Sequence, residues 1–333
     1  MDASQNPTNA RACIVTGGSG FIGTHLLRRL LLDESWQAIH VLDLNPPQVT
    51  DSRIFYHAVD LRRPLGLELD VPGGTCFHLA AICKEPGFPW HEYFSSNHVG
   101  TLHTCRFAER CGIDNMVYTS TEMVFQAGER ENFENSLTAP DTAYGMSKLL
   151  GELEVFRWQA LADGRRIRIV RPGVVFGLGE NGNFTRLYHA IRRHLFFYIG
   201  RKTTIKSWIY VKDVVGFLLA LSEDSGQREV FNLTYPKPTS ISEICQTMCK
   251  VFGFSERIPV VPYRLALLGG YLFEWLNAIG MLKSAVHHRR IEKLYYSTHM
   301  NADALASIGF TPKYDLAAAL RDWHRECDYT HLY

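Results

Sequence analysis

Residues Cys13 to Gly23 read C-I-V-T-G-G-S-G-F-I-G, an apolar run that stops at Thr16 and gives way to glycines at 17, 20 and 23. The run Ala12 to Val15 is too short for a buried helix and suits a central parallel strand, while Phe21 to Leu32 carries a helical apolar pattern. Strand, glycine turn and helix in that order predict a phosphate-binding turn. Gly17 permits the tight turn, Gly20 lets a pyrophosphate approach the backbone, and Gly23 lets the helix pack on the strand with its N-terminus facing the anion. Glycines also serve loops for turn geometry alone; the flanking strand and helix are what turn the triplet into an expected ligand site.

The next apolar run, Ala38 to Leu42, ends in Asp43, twenty residues after Gly23. An acid at that distance binds a ribose diol and repels a 2′-phosphate, so NAD is the expected cofactor over NADP, with Arg62 and Arg63 as the cations able to offset the repulsion. Strand-like runs recur at 12–16, 38–43, 53–59, 75–79, 115–119 and 166–170, and helix-like stretches at 21–32, 90–110 and 143–162 fall between several of them. That alternation predicts an α/β fold, a doubly wound parallel Rossmann sheet whose ligand lies at strand ends such as Thr16, Asp43, Asp60, His78 and Thr119. After Arg171-Pro172 the alternation breaks down and the text becomes mostly helical from 241. The expected division is a cofactor domain at 10–175, rejoined by 205–233, and a smaller, mostly helical C-terminal substrate lobe from 176–204 and 234–330.

The formal charge of +1 gives no basic excess for nucleic acid and no acidic tail for a basic partner. The eight cysteines are scattered without a C-x-x-C pair and read as reduced thiols, and His287-His288 lacks companions at ligand spacing, so no metal is expected. No secretion signal opens the chain, which predicts a cytoplasmic protein. The stretch 265–282 is apolar but interrupted by Glu274, Asn277 and three glycines, so it reads as a helix covering the substrate pocket rather than a membrane span. Its Tyr271, Leu272, Phe273 and Trp275 leave peripheral contact with a membrane surface open.

Tyr144 and Lys148 stand four residues apart, hence on one helix face. A free tyrosine titrates near pH 10, and a neighbouring ammonium with a cationic oxidised nicotinamide favours the phenolate, fitting Tyr144 to act as general base for an alcohol and as acid in reverse. Upstream, Tyr118 leads into Thr119-Ser120-Thr121-Glu122. Thr119 and Ser120 suit helix capping and Glu122 a solvated position; Thr121 is the expected catalytic hydroxyl.

These residues resemble the extended short-chain dehydrogenase/reductases of the NAD-dependent epimerase/dehydratase group. The resemblance spans T-G-G-S-G-F-I-G at 16–23, Asp43, Asp60-Leu61, His78-Leu79-Ala80-Ala81, Asn97 with Gly100-Thr101, Tyr118 to Val124, Tyr144 with Lys148, Arg171-Pro172, and Trp208 to Asp213. It implies that Gly17, Gly20, Phe21, Ile22, Gly23 and Asp43 hold NAD, that Asp60 and Leu61 flank the adenine, and that Leu79, Ala80 and Ala81 line the cofactor. Asn97, Tyr144, Lys148 and Pro172 would complete that site, Thr121, Tyr144 and Lys148 would form the catalytic set, and a homodimer is expected.

The loop Phe176 to Phe184 resembles the one with which nucleotide-sugar members hold substrate, and 290–312 resembles the C-terminal part of bacterial polysaccharide-pathway members. The implied substrate is a nucleotide diphosphate sugar, with Asn183 on its phosphates or sugar and Lys206 where related epimerases carry an Arg, charge kept but fork lost. His287 to Arg290 read as diphosphate contacts or as a solvated face. Phe125-Gln126 replaces the frequent Tyr-Gly, and Val174 stands where many sugar epimerases have Asn. Thr121-Glu122 resembles the dehydratase Thr-Asp-Glu motif without its Asp, so epimerase, or simple dehydrogenase, is expected before dehydratase. Arg171 to Gly177 also resembles 3β-hydroxysteroid dehydrogenases, which makes a steroid oxidoreductase the alternative. A non-catalytic NAD-binding regulator is a third reading, opposed by the retained Thr121, Tyr144 and Lys148.

Overall fold

The computed structural model describes residues 10–85, 87–279 and 288–332, the side chains of Ala278, Arg289, Arg290 and Lys293 excepted. Seven parallel strands form the central sheet, in the spatial order Val230–Leu233, Arg166–Pro172, Asn115–Thr119, Thr75–His78, Arg11–Thr16, Trp36–Asp43 and Ile54–Ala58. The inner strands are buried on both faces, with Cys13, Ile14, Val15, Met116, Val117, Tyr118, Ile167 and Ile169 almost inaccessible, which is why they read as continuous apolar runs. The chain winds outward in both directions from Arg11–Thr16, so the order reverses between that strand and Thr75–His78, where Thr16 lies beside His78. In a doubly wound sheet the crevice at that reversal receives the ligand.

The segment expected as one helix over 90–110 is helical throughout but not uniform. Trp90–Tyr93 and Gly100–Arg110 are α-helical, and Phe94–Val99 between them is a π-helix. A π turn admits an extra residue and re-aims a side chain; here fully buried Asn97 lies within it.

Residues 205–233 divide between two partners. The strand Trp208–Tyr210 pairs with Val174–Phe176 in a separate two-stranded sheet, whereas Val230–Leu233 adds the edge of the main sheet. The intervening helix Val211–Glu223 lays Val214, Phe217, Leu218 and Leu221 into the core shared with helix Phe21–Leu30. Among the described residues four further α-helices follow: Ile241–Phe252, Tyr263–Ala278, His288–Tyr295 and Leu316–Glu326. The first opens with a Ser240–Glu243 capping box and stops at Gly253, whose φ of 70° a side chain would resist. A second core gathers Phe176, Phe184, Trp208, Tyr210 and Trp323, with Phe176 and Phe184 stacked at 4.1 Å. Each such buried ring contributes about 2 to 3 kcal/mol of apolar burial. Among the described residues no helix is long and apolar enough to cross a membrane.

Candidate active site

At the sheet's switch point the glycine turn leaves no room for side chains. Gly17 has φ +71°, and a Cβ there would lie 2.6 Å from the Ala80 nitrogen; one at Gly23 would lie 2.2 Å from the Gly17 carbonyl oxygen. Gly20 is the N-cap of helix Phe21–Leu30, no side chain caps it, and its first turn holds no acid. The amides that open this helix therefore suit an anion. Leu79 donates its N–H to the Thr16 carbonyl, which runs Leu79 to Ala81 across the turn. Asp43 ends its strand beside the turn, accepting from the Ser19 amide at 3.1 Å and the Asn45 amide at 3.2 Å. Arg62 is held by Asp60 at 2.8 Å and Glu92 at 3.2 Å, and that guanidinium keeps the Asp60 carboxyl below its ordinary range. An acid poised for a diol, with the nearby Arg62 already neutralised, fits a dinucleotide without a 2′-phosphate.

The helix Ala143–Ala160 carries Tyr144 and Lys148, and Thr142 caps it by accepting the Gly145 amide at 3.0 Å. Glycines let it lie close: a Cβ at Gly145 would meet the Met123 carbonyl at 2.1 Å, and one at Gly151 the Tyr118 hydroxyl at 2.2 Å. Thr121, also buried, accepts the Met123 amide at 3.2 Å. Burial pushes the Tyr144 phenol up and Cys83 adds to the rise, while the Thr121 hydroxyl pulls it down. Lys148 is 1% exposed, and its ammonium lies 4.1 Å from the centre of the Tyr118 ring. Burial brings Lys148 down to about 7, against the opposing charge of Glu152. The shared helix face thus holds, but in this state the protein alone does not favour the phenolate.

Three buried ties position this group. Asn97 accepts from the Ile82 amide at 2.9 Å and donates to the Ile82 carbonyl at 3.0 Å and the Ser147 hydroxyl at 2.9 Å, joining the cleft wall to the Tyr144 helix. His78 bonds Thr16 at 2.6 Å through Nδ1 and Thr101 at 2.9 Å through Nε2, and burial holds it neutral by lowering it to about 3. Glu152 receives Arg171 at 2.6 and 2.9 Å and Ser120 at 2.5 Å. Ser120 therefore serves this network and not a helix cap. Sequence reasoning passed over Glu152, although its place four residues beyond Lys148 was visible. It also passed over Cys83 and over Glu85, whose carboxylate lies 3.4 Å from the Tyr144 amide; nothing in the sequence pattern marked either.

The residues expected to meet substrate lie on other segments. His25 bonds the Leu178 carbonyl at 2.9 Å, tying the loop after Phe176 to the glycine helix, and Phe21 approaches the same loop at Gly179. Buried Glu180 accepts the Thr185 amide at 2.9 Å, and exposed Asn183 begins helix Asn183–Arg192. Lys206 bridges to Thr298 in parallel fashion and donates from Nζ to the Tyr296 carbonyl at 2.6 Å. The strand Thr298–Met300 pairs in turn with Gly128–Asn132, a few residues beyond Thr121. Pro172 ends its strand beside Leu233. His287, 280–282, and the side chains of Arg289 and Arg290 lie outside the described residues; His288 bonds Glu274 at 2.6 Å and stacks on Tyr271. Among the described residues no cluster of His, Cys, Asp and Glu could hold a metal.

The model of the NAD dependent epimerase/dehydratase family matches residues 13–234. The N-acetyl-α-D-glucosaminyl-diphospho-ditrans,octacis-undecaprenol 4-epimerase of Escherichia coli O157:H7 is 28% identical over 92% of each chain. A 3β-hydroxysteroid dehydrogenase/Δ5→4-isomerase of Mycobacterium tuberculosis is 24% identical over 93% of this chain and 88% of its own. The solved UDP-glucuronic acid 4-epimerase from Bacillus cereus, in complex with UDP-glucuronic acid and NAD, shares the fold with a TM-score of 0.72 at 21% identity, over 96% of this chain and 99% of its own. With two thirds of its length inside the family match and the cofactor turn at its start, the chain belongs to the NAD-dependent epimerase/dehydratase family.

Proposed function

We propose that the chain inverts C4 of a hexose carried on a diphosphate, in nucleotide-linked form, through a 4-keto intermediate. The observation that carries this is the burial of Thr121, Tyr144 and Lys148 together, Tyr144 and Lys148 one turn apart on a helix packed at Gly145 against the Thr121–Met123 turn. NAD bound at that turn would accept and return the hydride. Thr121 orients the sugar hydroxyl, and Tyr144 takes its proton as C4 is oxidised and returns it after reduction on the opposite face. Lys148 supplies the cation that stabilises the phenolate. Asn183 and Lys206 hold the diphosphate while the keto ring turns. In this reading 10–175 and part of 205–233 carry the cofactor and the catalytic set, Lys206 within 205–233 reaches the substrate, and 176–204 and 234–330 complete the substrate lobe.

Support comes from both 4-epimerase relatives, each named for a diphosphate-linked sugar. The steroid alternative has its own support in the Mycobacterium relative and in an exposed apolar helix. All eight cysteines are free, which suits the reducing cytosol we propose for the enzyme. The test is to offer UDP-sugars and 3β-hydroxysteroids with NAD, following absorbance and product stereochemistry. A C4-inverted sugar without net NADH is expected; steroid oxidation with no sugar turnover overturns the reading.

A further inference from the structure

The helix Tyr263–Ala278 is apolar on both of its sides. Ala266 and Gly270 face the protein, Ala266 in a small core with Ile199 and Ile291, and the Tyr263 ring packs on Tyr295 at 4.2 Å. On the other side Leu265, Leu268, Leu272, Trp275 and Ile279, spaced by three and four residues, form a continuous stripe with each side chain 48 to 64% exposed. Arg264 and Glu274 are the only charged residues of the helix, and Glu274 is engaged by His288. A helix apolar all round needs cover on both faces, and a contiguous exposed patch of this kind marks an interaction surface.

The neighbouring helix suggests what covers it. His288–Tyr295, in contact with Tyr263–Ala278, reads H-R-R-I-E-K-L-Y, two Arg and one Lys against one Glu in its sequence. The strand Tyr198–Ile199 beside it leads to exposed Lys202. An apolar stripe with Trp and Tyr at its edge, flanked by a basic helix, is the pattern of a segment lying in the interface of an anionic bilayer. A second copy of the chain would bring two basic helices together.

We infer that the Leu265–Ile279 stripe and the basic helix beside it dock this enzyme on an anionic lipid surface. The same short helix ends at Tyr295 and Tyr296, whose carbonyls hold Thr204 and the Lys206 ammonium. The proposed diphosphate anchor is therefore one helix away from the docking face. Resting on the sugar-diphosphate reading, the consequence is that a diphosphate sugar anchored in that membrane can reach the same site.

The test uses the full chain loaded with NAD, and vesicles of phosphatidylglycerol with phosphatidylethanolamine or of phosphatidylcholine alone. Wild type is expected to co-sediment with the anionic vesicles, at least tenfold more than with the neutral ones. Leu268→Glu with Leu272→Glu should lose that binding while keeping its melting temperature and its turnover of a soluble UDP-sugar. A wild type that stays in the supernatant with both vesicles overturns the docking. So does a wild type that ignores vesicles and forms a dimer which the double variant dissociates, since the stripe then belongs to a second copy. If no sugar is turned over while vesicle binding depends on the stripe, the sugar reading fails and the docking stands.

Discussion

Arg171 and Glu152 form a two-point ion pair that is almost wholly buried, their side chains 6% and 2% exposed, with Arg171 donating to both carboxylate oxygens. Arg171 also donates to the Glu134 carbonyl at 2.9 Å, and its guanidinium lies over the Phe125 ring. The pair ties the strand Arg166–Pro172 to the helix that carries Tyr144, and Glu152 stands one turn beyond Lys148. Structural tie and electrostatic neighbour are thus the same carboxylate.

Glu152→Gln should act on both. The guanidinium left in the interior without its counter-charge is expected to cost about 3 to 5 kcal/mol, read by urea unfolding. Because the Glu152 charge holds Lys148 up, its loss should lower Lys148 below its present value of about 7. The limb of the kcat/KM profile that reports Lys148 then moves to lower pH. An unmoved profile in a folded variant would leave Glu152 a structural residue alone.

Lys148 itself is expected to destabilise the cofactor-free protein at neutral pH. Its ordinary value of 10.5 falls to about 7 on burial, so between those values the unfolded chain binds more protons than the folded one. Stability from this group therefore rises with pH across that window, and the buried ammonium's cost is present in full below it. Lys148→Met should be inactive, more stable than wild type at pH 7, and lacking this rise. Above pH 8 or so the buried thiols oppose the trend, since burial raises Cys13, Cys76 and Cys105 and favours the folded state's protonated form. The comparison of the two proteins from pH 6 to 8 isolates Lys148.

Tyr144→Phe keeps a ring of the same shape against Tyr93, 6.4 Å away, and should fold and bind NAD as wild type does. Turnover should fall by about a hundredfold to ten-thousandfold with the loss of the proton carrier. Near-normal turnover would remove Tyr144 from the mechanism.

How far such roles were visible beforehand depended on where each residue finds its partners. The strands of the sheet could be read because burial on both faces makes them uninterrupted apolar runs, and the Tyr144–Lys148 pair and the glycine triplet because their members stand at short fixed spacings in the sequence. The π-helical turn at Phe94–Val99 could not, since its cause is the fit of Asn97 to the Ile82 backbone, fifteen residues upstream. The expectation that 205–233 rejoins the cofactor domain could not resolve Trp208–Tyr210, since three residues carry nothing that chooses Val174–Phe176 over the main sheet. The Lys148 environment was hidden for the same reason: Tyr118 lies thirty residues upstream, and its ring receives the ammonium expected to act on Tyr144.

Cofactor choice gives a direct test of Asp43. With Arg62 occupied by Asp60 and Glu92, the Asp43 carboxylate is the group we propose to discriminate between the two cofactors. Asp43→Ala should weaken NAD by tenfold or more while NADP weakens less or improves, measured by fluorescence titration. An unchanged NAD to NADP ratio would place Asp43 outside the ribose site, its carboxylate serving only the Ser19 and Asn45 amides.

Lys206 separates the two substrate readings. Its ammonium donates to the Tyr296 carbonyl at a half-buried position, and in the proposed reading it meets a diphosphate oxygen as a charge-assisted hydrogen bond. Lys206→Met keeps much of the side chain's length but removes the charge, and is expected to raise KM for a UDP-sugar about tenfold with kcat little altered. The wild-type KM should rise with salt, and the variant's dependence should flatten, because the screened contact is gone. Lys206→Arg should restore most of the affinity. A steroid has no diphosphate, so for 3β-hydroxysteroid oxidation the same substitution should leave KM and its salt response where they were. Asn183→Ala, a neutral loss at the head of helix Asn183–Arg192, should raise the sugar KM without changing the salt response. NAD affinity should be the same in all three variants, which shows that the cofactor domain is intact. A folded, NAD-loaded Lys206→Met enzyme with wild-type sugar affinity would count against the diphosphate anchor and return the steroid reading to the front.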